Sequence, residues 1–254
     1  MFLRRMSMER FTKGYDELTE YEQRVSTYIV QNFHKVSDMS NNKLAEKTFV
    51  SKTVIINMAQ KLGFSGYTDL RYYLKEKSYK NDLLPEKVVL GNETLRSVNM
   101  TYNIINTKQV IEAAKLVNKV ETVYVAARGT SKASAAHLAH LLLIAGIKCV
   151  LVLDYNILPI MARKVLENEL FIMISISGET RIIVEAAEMV KARSRSLISL
   201  TSFTQNRLVN LADINLYVAG SSTDTADNDD ISRIGFFFIT EILAQQVKNE
   251  KLKT

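Results

Sequence analysis

Three hydroxyl side chains, Ser175, Ser177 and Thr180, lie within a six-residue segment that is the part of the sequence best suited to chemistry. Gly178 stands between them and lets the backbone turn sharply. An apolar run of strand length, Leu170–Ile174, precedes the segment, and an amphipathic helical pattern follows it. Free backbone N–H groups and the positive end of the helix dipole would face a ligand at such a turn. The segment therefore predicts an anion site, with an ordinary helix cap as the alternative.

A second loop, Ala127–Ser131, also follows a strand-like run and opens a helix. The carboxyl ends of parallel strands meet at one edge of a sheet, so we expect this loop to lie beside the hydroxyl-rich segment. Asp154 and Asn156 follow the intervening strand and could contact hydroxyl groups of a ligand. Asp and Asn in loops are also turn formers, which leaves their role open.

The hydroxyl-rich segment, Ser175–Thr180, has the sequence SISGET and resembles the S-x-S-G-x-T signature of sugar isomerase (SIS) domains. In that family the Ser and Thr side chains hold the phosphate of a phosphosugar. The loop Ala127–Ser131 resembles the family's G-x-G-x-S loop, except that Ala127 replaces the first glycine and leaves less room beside a ligand. The resemblance implies a ligand-binding set of Gly129, Thr130, Ser131, Ser175, Ser177, Gly178, Glu179 and Thr180.

Strand and helix patterns alternate through the second part of the chain. They predict five strands, at 122–127, 148–153, 170–175, 196–201 and 213–218. Repeated strand–helix units predict an α/β fold, here a doubly wound, mostly parallel α/β/α sandwich. A last helix at 231–248 is apolar nearly all round, so we expect it to be buried in the domain or against a partner.

The first part of the chain has helical patterns. Thr19 and Glu22 have the spacing of a capping box, before a helix that extends to about Phe33. Two short helices follow, at 41–47 and after Ser51, joined by a tight turn. The second has an apolar stripe on one side and polar residues on the other. The pair predicts an all-α helix-turn-helix domain whose second helix enters the DNA major groove, although a helical bundle without a nucleic-acid role would show the same pattern.

Residues from Leu18 to about Lys77 resemble the N-terminal domain of RpiR-family transcriptional regulators, notably in the segment KLGFSGY at Lys61–Tyr67. An RpiR-type DNA-binding domain followed by a SIS domain is that family's architecture. The resemblance implies DNA contacts by Ser51, Lys52, Thr53, Ile56, Asn57, Gln60 and Lys61.

The second helix departs from the family pattern at Val54 and Asn57, where Thr and Arg are usual. Asn pairs with adenine in the major groove, whereas Arg contacts phosphate or guanine. We therefore expect Asn57 to shift the preferred operator toward adenine and Ile56 to touch a thymine methyl group. The alternative is that Asn57 faces only solvent.

A polar segment, 78–92, contains Pro85 and Gly91 and separates the two parts. An apolar seam follows at helical spacing, formed by Leu95, Val98, Tyr102 and Ile105. The seam would cover the next domain or pair with a second copy of the chain. The predicted domains are a helix-turn-helix domain at 1–77, a linker and connecting helix at 78–106, and a SIS domain at 107–254.

The net charge of +6 is concentrated at one end, because residues 1–80 hold 14 Lys and Arg against 9 Asp and Glu. A basic segment favours a polyanionic partner such as DNA. The single cysteine excludes an internal disulfide and is typical of a reducing compartment. No secretory signal and no apolar run of about 20 residues is present, so we expect a cytoplasmic protein with no membrane contact.

These patterns predict a transcriptional regulator of carbohydrate metabolism. It would bind an operator in double-stranded DNA as a homodimer or homotetramer and sense a phosphorylated sugar. The alternatives are a phosphosugar isomerase with an accessory helical domain and a SIS-based interaction protein. Only Glu179, His137 and His140 could supply the general base of an isomerase, so we predict no catalytic residues. We also predict no cofactor and no metal, since the acidic stretch Asp224–Asp230 lacks the spacing of a calcium loop.

Overall fold

The computed structural model describes residues 10–11, 14–81, 92–193, 195–220 and 231–253. They form two compact units, one up to Ile104 and the other from Ile105 onward. The described part of the first unit is helical, and the second unit alternates strands and helices. The fold class predicted for each half is therefore confirmed.

Six α-helices follow a short 3-10 turn among the described residues of the N-terminal unit. They are α1 (Glu20–Gln31), α2 (Phe33–Ser37), α3 (Asn41–Thr48), α4 (Lys52–Lys61), α5 (Tyr67–Asn81) and α6 (Asn92–Ile104). The helix predicted to extend to about Phe33 is interrupted at Asn32, whose backbone leaves the helical region at φ −124° and ψ 27°. The short helix α2 that follows was not predicted from the sequence.

Side-chain caps explain where these helices begin. Thr19 Oγ1 accepts a hydrogen bond from the backbone N–H of Glu22, and the Glu22 carboxylate accepts one from the backbone N–H of Thr19 at 2.7 Å. The predicted capping box is thus confirmed. Ser40 caps α3 and Ser51 caps α4 through the same kind of contact. Each cap satisfies a backbone donor that the first helical turn leaves free.

The core of this unit lies on the predicted apolar side of α4. Ile55 and Met58 are fully buried, together with Leu44 of α3. Helix α1 packs against α4, and α2 packs against α5. The opposite side of α4 therefore remains in solvent.

The second unit contains a five-stranded sheet. Its elements are α7 (Thr107–Lys119), β1 (Thr122–Ala127), α8 (Lys132–Ile144), β2 (Cys149–Val152), α9 (Leu158–Lys164), β3 (Glu169–Ile174), α10 (Arg181–Ala192), β4 (Ser196–Ser202), α11 (Arg207–Leu211), β5 (Ile214–Val218) and α12 (Ile234–Lys251). The strand order is β2-β1-β3-β4-β5, and every pairing is parallel. Each strand matches its predicted bounds to within one residue.

Helices cover both faces of the sheet. One apolar cluster joins the sheet to α7, α8 and α12, and a second joins it to α9, α10 and α11. Ile172 of β3 belongs to the first cluster and its neighbour Phe171 to the second. Because both faces of β3 are buried, its sequence is a continuous apolar run and does not alternate with polar residues.

Two sequence predictions fall outside the described residues. They are the linker segment at 82–91, with Pro85 and Gly91, and the acidic stretch Asp224–Asp230. Among the helices that the structure does describe, none combines the length and the apolar character needed to cross a lipid bilayer.

A partly buried ion pair joins α1 to α4. Lys61 Nζ lies 2.7 Å from Glu22 Oε2, and the Glu22 side chain is only 5% exposed. Burial alone would raise the pKa of Glu22, but hydrogen bonds from Lys61 and Thr19 outweigh it and hold the pKa below its ordinary value. The pair therefore stabilises the unit above the ordinary pKa of a glutamate, and its contribution is lost as pH falls through the folded-state value.

We predict that Lys61→Met lowers the free energy of unfolding of the N-terminal unit by about 1–2 kcal/mol at pH 7, because it leaves a buried carboxylate without its cation. Hydrogen exchange of the α1 and α4 amides, followed by mass spectrometry, measures this loss. The difference from the parent should shrink as the pH falls below the ordinary pKa of a glutamate and Glu22 becomes protonated.

The exposed pair Lys75–Asp38, at 3.1 Å, offers a matched control. Lys75→Met should change the stability by less than about 0.5 kcal/mol, since exposed ion pairs contribute little. Equal losses in the two variants would contradict the role assigned to Glu22.

Candidate functional site

The two loops predicted to bind a ligand leave the sheet side by side. Ala127, the last residue of β1, pairs with Ile174, the last residue of β3. The chain runs from β1 to the edge strand β2 and from β3 toward β4 in the opposite direction. A crevice therefore opens between β1 and β3 at their carboxyl ends. Parallel α/β sheets bind ligands at such a topological switch point.

The loop after β3 is held in shape by its own first hydroxyl. Ser175 is 3% exposed, its Oγ lies 2.9 Å from Thr180 Oγ1, and it accepts a hydrogen bond from the backbone N–H of Gly178 at 3.2 Å. Ser177 Oγ accepts from the backbone N–H of Glu179 at 3.2 Å. Ser177 and Thr180 are half-buried and remain within reach of a ligand. Ser175 thus shapes the loop, while the other two hydroxyls can meet an anion.

Thr180 precedes α10 but does not cap it, since its side chain makes no capping hydrogen bond. Its hydroxyl turns back to Ser175 instead. The Thr180 side chain therefore does not satisfy the first backbone N–H groups of α10. These donors and the helix dipole favour an anion at this position.

Gly178 sits in the left-handed region at φ +66°, packed against Asn206. A Cβ atom built on Gly178 would lie 2.0 Å from Asn206 Oδ1. Asn206 is 4% exposed and cannot move aside freely, because its Oδ1 caps α11 at Val209 and its Nδ2 donates to the carbonyl of Thr204. Only glycine satisfies both the backbone conformation and the available space.

The start of α11 is attached to the same loop. The backbone N–H of Arg207 donates to Glu179 Oε1 at 2.7 Å, and the N–H of Leu208 donates to the carbonyl of Gly178 at 3.1 Å. Glu179 is a predicted ligand-binding residue and one of the three candidate general bases. Its carboxylate is engaged with a backbone donor in the structure.

The loop after β1 is contacted by Arg233, a residue that was not predicted from the sequence. Gly129 adopts φ +58° and Thr130 is exposed, whereas Ser131 is 3% exposed. Arg233, which immediately precedes α12, donates from Nε to Ser131 Oγ at 3.2 Å. The guanidinium therefore lies beside a predicted ligand-binding hydroxyl. The only sequence signal was a basic residue just before a strongly apolar helix.

A shallow surface pocket lies at the carboxyl ends of β1 and β2. It is lined by Ala127, Arg128, Val152, Leu153, Asp154, Tyr155, Leu158, Ile182 and Ile183. Arg128 Cζ lies 5.9 Å from the centre of the Tyr155 ring, within the range of a cation–π contact. Asp154 Oδ1 accepts from the backbone N–H of Asn156 at 2.7 Å, so Asp154 forms the turn here.

Other cations near the loop are paired. Arg181 Nε lies 2.8 Å from Glu185, and Arg207 Nη2 lies 2.8 Å from Glu188. These pairs are exposed and contribute little to stability. Among the described residues, no three His, Cys, Asp or Glu side chains are grouped closely enough to hold a metal ion.

The predicted DNA-binding face lies on the exposed side of α4. Lys52, Thr53, Asn57 and Gln60 are exposed, and Ile56 is 37% exposed. Ser51 is also exposed, and its hydroxyl serves as the cap of α4. Lys61 is engaged with Glu22, so its ammonium group has a structural partner within the unit.

Comparisons with known proteins agree with both units. Residues 6–81 match a family model described as a helix-turn-helix domain of the rpiR family, and residues 115–228 match the SIS domain. The HTH-type transcriptional regulator GlvR of Bacillus subtilis is 27% identical over 232 residues, covering 91% of this chain and 90% of GlvR. The HTH-type transcriptional regulator RpiR of Escherichia coli K12 is 26% identical over 210 residues, covering 77% and 70% of the two chains.

Solved structures share the fold. The Vibrio vulnificus NanR protein complexed with ManNAc-6P aligns over 97% of this chain and 92% of its own, with a TM-score of 0.61 and 20% identity. The sugar isomerase domain of an RpiR transcription factor from Sphaerobacter thermophilus covers 66% of this chain and 92% of its own, with a TM-score of 0.59 and 20% identity.

A helix-turn-helix unit followed by a SIS unit defines a class of DNA-binding regulators that carry a ligand-binding domain in the same chain. This chain belongs to the RpiR family of HTH-type transcriptional regulators.

We predict that Gly178→Ala destabilises the second unit by at least about 2 kcal/mol, because the added Cβ collides with Asn206 and the backbone is left-handed. Thermal unfolding followed by circular dichroism measures the change. Gly66→Ala is the matched control, since nothing lies within 4 Å of a Cβ at that position. Similar melting temperatures for the parent and Gly178→Ala would show that Asn206 can give way.

Proposed function

We propose that this protein is a transcriptional regulator whose N-terminal helices bind an operator and whose SIS domain senses a phosphorylated sugar. One observation carries the proposal: a hydroxyl-rich loop stands at the switch point of the sheet, in the same chain as a helix-turn-helix unit with an exposed polar face. The structure of NanR in complex with ManNAc-6P supports a phosphosugar ligand.

The loop suits a phosphate group in particular. Ser177, Thr180 and the first N–H groups of α10 offer several donors to one tetrahedral anion. Arg233 adds a cation beside Ser131 on the neighbouring loop. The sugar would then lie over the adjoining shallow pocket, beside Arg128 and Tyr155.

Sensing without turnover fits the environment of the three candidate bases. Sugar isomerisation requires a general base close to the reacting carbons. Glu179 instead accepts a hydrogen bond at the start of α11. His137 Nε2 lies 2.8 Å from Glu241 of α12 and its ring packs at an angle on Phe237, while His140 is exposed on α8. This arrangement favours a sensor over an isomerase.

DNA binding would follow helix-turn-helix geometry. Helix α4 enters the major groove by its N-terminal end, and a homodimer or homotetramer places two such helices on half-sites about one helical turn apart. Leu95 and Tyr102 on α6 are 47% and 45% exposed, which supports pairing of the apolar seam with a second copy. A regulator of this kind acts on chromosomal DNA in the cytoplasm.

The phosphosugar half of the proposal is tested by a thermal-shift screen of hexose and pentose phosphates. At least one compound should raise the melting temperature of the parent, and Ser177→Ala should weaken its binding by about tenfold or more, since a charge-assisted hydrogen bond is lost. Ser196→Ala, which removes a hydroxyl at the amino end of β4, should bind like the parent. The absence of any response in the parent would contradict phosphosugar sensing.

The operator half is tested by selecting binding sites from a random duplex library with the parent and with Asn57→Arg. We expect the parent to enrich adenine where Asn57 contacts the groove and the variant to enrich guanine. Lys52→Ala should weaken binding to all sequences alike and reduce the salt dependence of binding, since it removes a phosphate contact. Identical preferred sites for the parent and Asn57→Arg would show that Asn57 does not read the sequence.

A further inference from the structure

Phe49 combines two unfavourable features in the turn between α3 and α4. Its backbone is left-handed, at φ 53° and ψ 44°, and its side chain is 86% exposed. Among the described residues it is the only one other than glycine with a positive φ. A bulky aromatic residue in this conformation is a genuine outlier, and outliers of this kind are concentrated at functional sites.

The turn explains the backbone but not the side chain. The N–H groups of Phe49 and Val50 both donate to the carbonyl of Ala45, which ends α3 and directs the chain into α4. Such a helix ending requires a left-handed residue, a position that glycine fills without strain. At 86% exposure the phenyl ring gains almost nothing from burial within the unit. The fold therefore explains why the backbone turns at residue 49, but it does not explain why that residue is a phenylalanine.

The charged residues near Phe49 in the sequence indicate the partner of its ring. Lys43 and Lys47 of α3 and Lys52 of α4 are exposed within a few residues of it, against one exposed carboxylate, Glu46. Phe49 also lies two residues before Ser51, where the proposed DNA-reading helix α4 is capped. An exposed apolar ring in a predominantly basic stretch of the chain suits a DNA duplex, whose phosphates attract lysines while sugar edges and thymine methyl groups offer apolar surface.

We propose that the Phe49 ring contacts the DNA duplex beside α4, as an apolar anchor outside the DNA-reading helix itself. The inference rests on the proposed operator binding and adds a residue to it. The strain at Phe49 is retained because the ring adds DNA affinity, so stability and DNA binding oppose each other at this position.

The test compares Phe49→Gly and Phe49→Tyr with the parent in the full chain. Phe49→Gly relieves the backbone and should raise the melting temperature by a few degrees, yet weaken binding to the duplex selected by the parent by about tenfold. Phe49→Tyr keeps the ring and should bind within about twofold of the parent. Leu252→Ala removes an apolar side chain of equal exposure from the second unit and should leave DNA affinity unchanged.

Fluorescence anisotropy with the selected duplex measures affinity, and analytical ultracentrifugation measures the mass of the assembly. Unchanged DNA affinity in Phe49→Gly would overturn the inference while leaving the proposed function intact. A change in assembly mass in Phe49→Gly would also overturn it, because the ring would then lie between copies of the chain. If the parent itself enriches no duplex, the proposed function fails and the inference fails with it.

Discussion

The close contact between Gly178 and Asn206 is the constraint on which the ligand-binding unit depends. With no side chain at residue 178, the backbone turns in the left-handed region and lies directly against a buried amide. That turn brings the Ser175 and Thr180 hydroxyls to 2.9 Å and presents the Gly178 carbonyl to α11. A buried polar group is tolerated only when it is hydrogen-bonded, and Asn206 meets this condition through α11 and Thr204. The contact between Gly178 and Asn206 thus fixes both the shape of the loop after β3 and the position of α11.

The N-terminal unit is organised by the burial of a carboxylate. Glu22 caps its own helix and receives Lys61 from α4, so one side chain fixes both the start of α1 and its distance from α4. Removing a charge from water is costly, and the hydrogen bonds from Lys61 and Thr19 offset the cost. The exposed face of α4 can vary in sequence without disturbing this arrangement, which fits the unusual Asn57.

The sequence was sufficient for those features that depend on neighbours along the chain. Apolar runs and periodicity predicted all five strands to within one residue, and the spacing of Thr19 and Glu22 predicted the capping box. Contacts between distant residues carry no such local signal. Asn206 meets Gly178 and Arg233 meets Ser131 only after the sheet has formed, so neither was found from the sequence. The break at Asn32 was also missed, because the apolar pattern continues through it to Phe33.

The hydroxyl-rich loop and the neighbouring pocket are built from different segments, so the proposed function would divide anion binding and sugar recognition between them. A loop that meets only a tetrahedral anion responds to every phosphate ester, and to free inorganic phosphate as a competitor. In the proposed sensor, discrimination among sugars would depend on Val152, Leu153 and Tyr155, which line the pocket at the end of the edge strand. Substitutions there can retune the signal to a different nutrient while the anchoring chemistry stays the same. Paralogues of this architecture could therefore diverge in what they sense by changing a handful of residues on one side of the crevice.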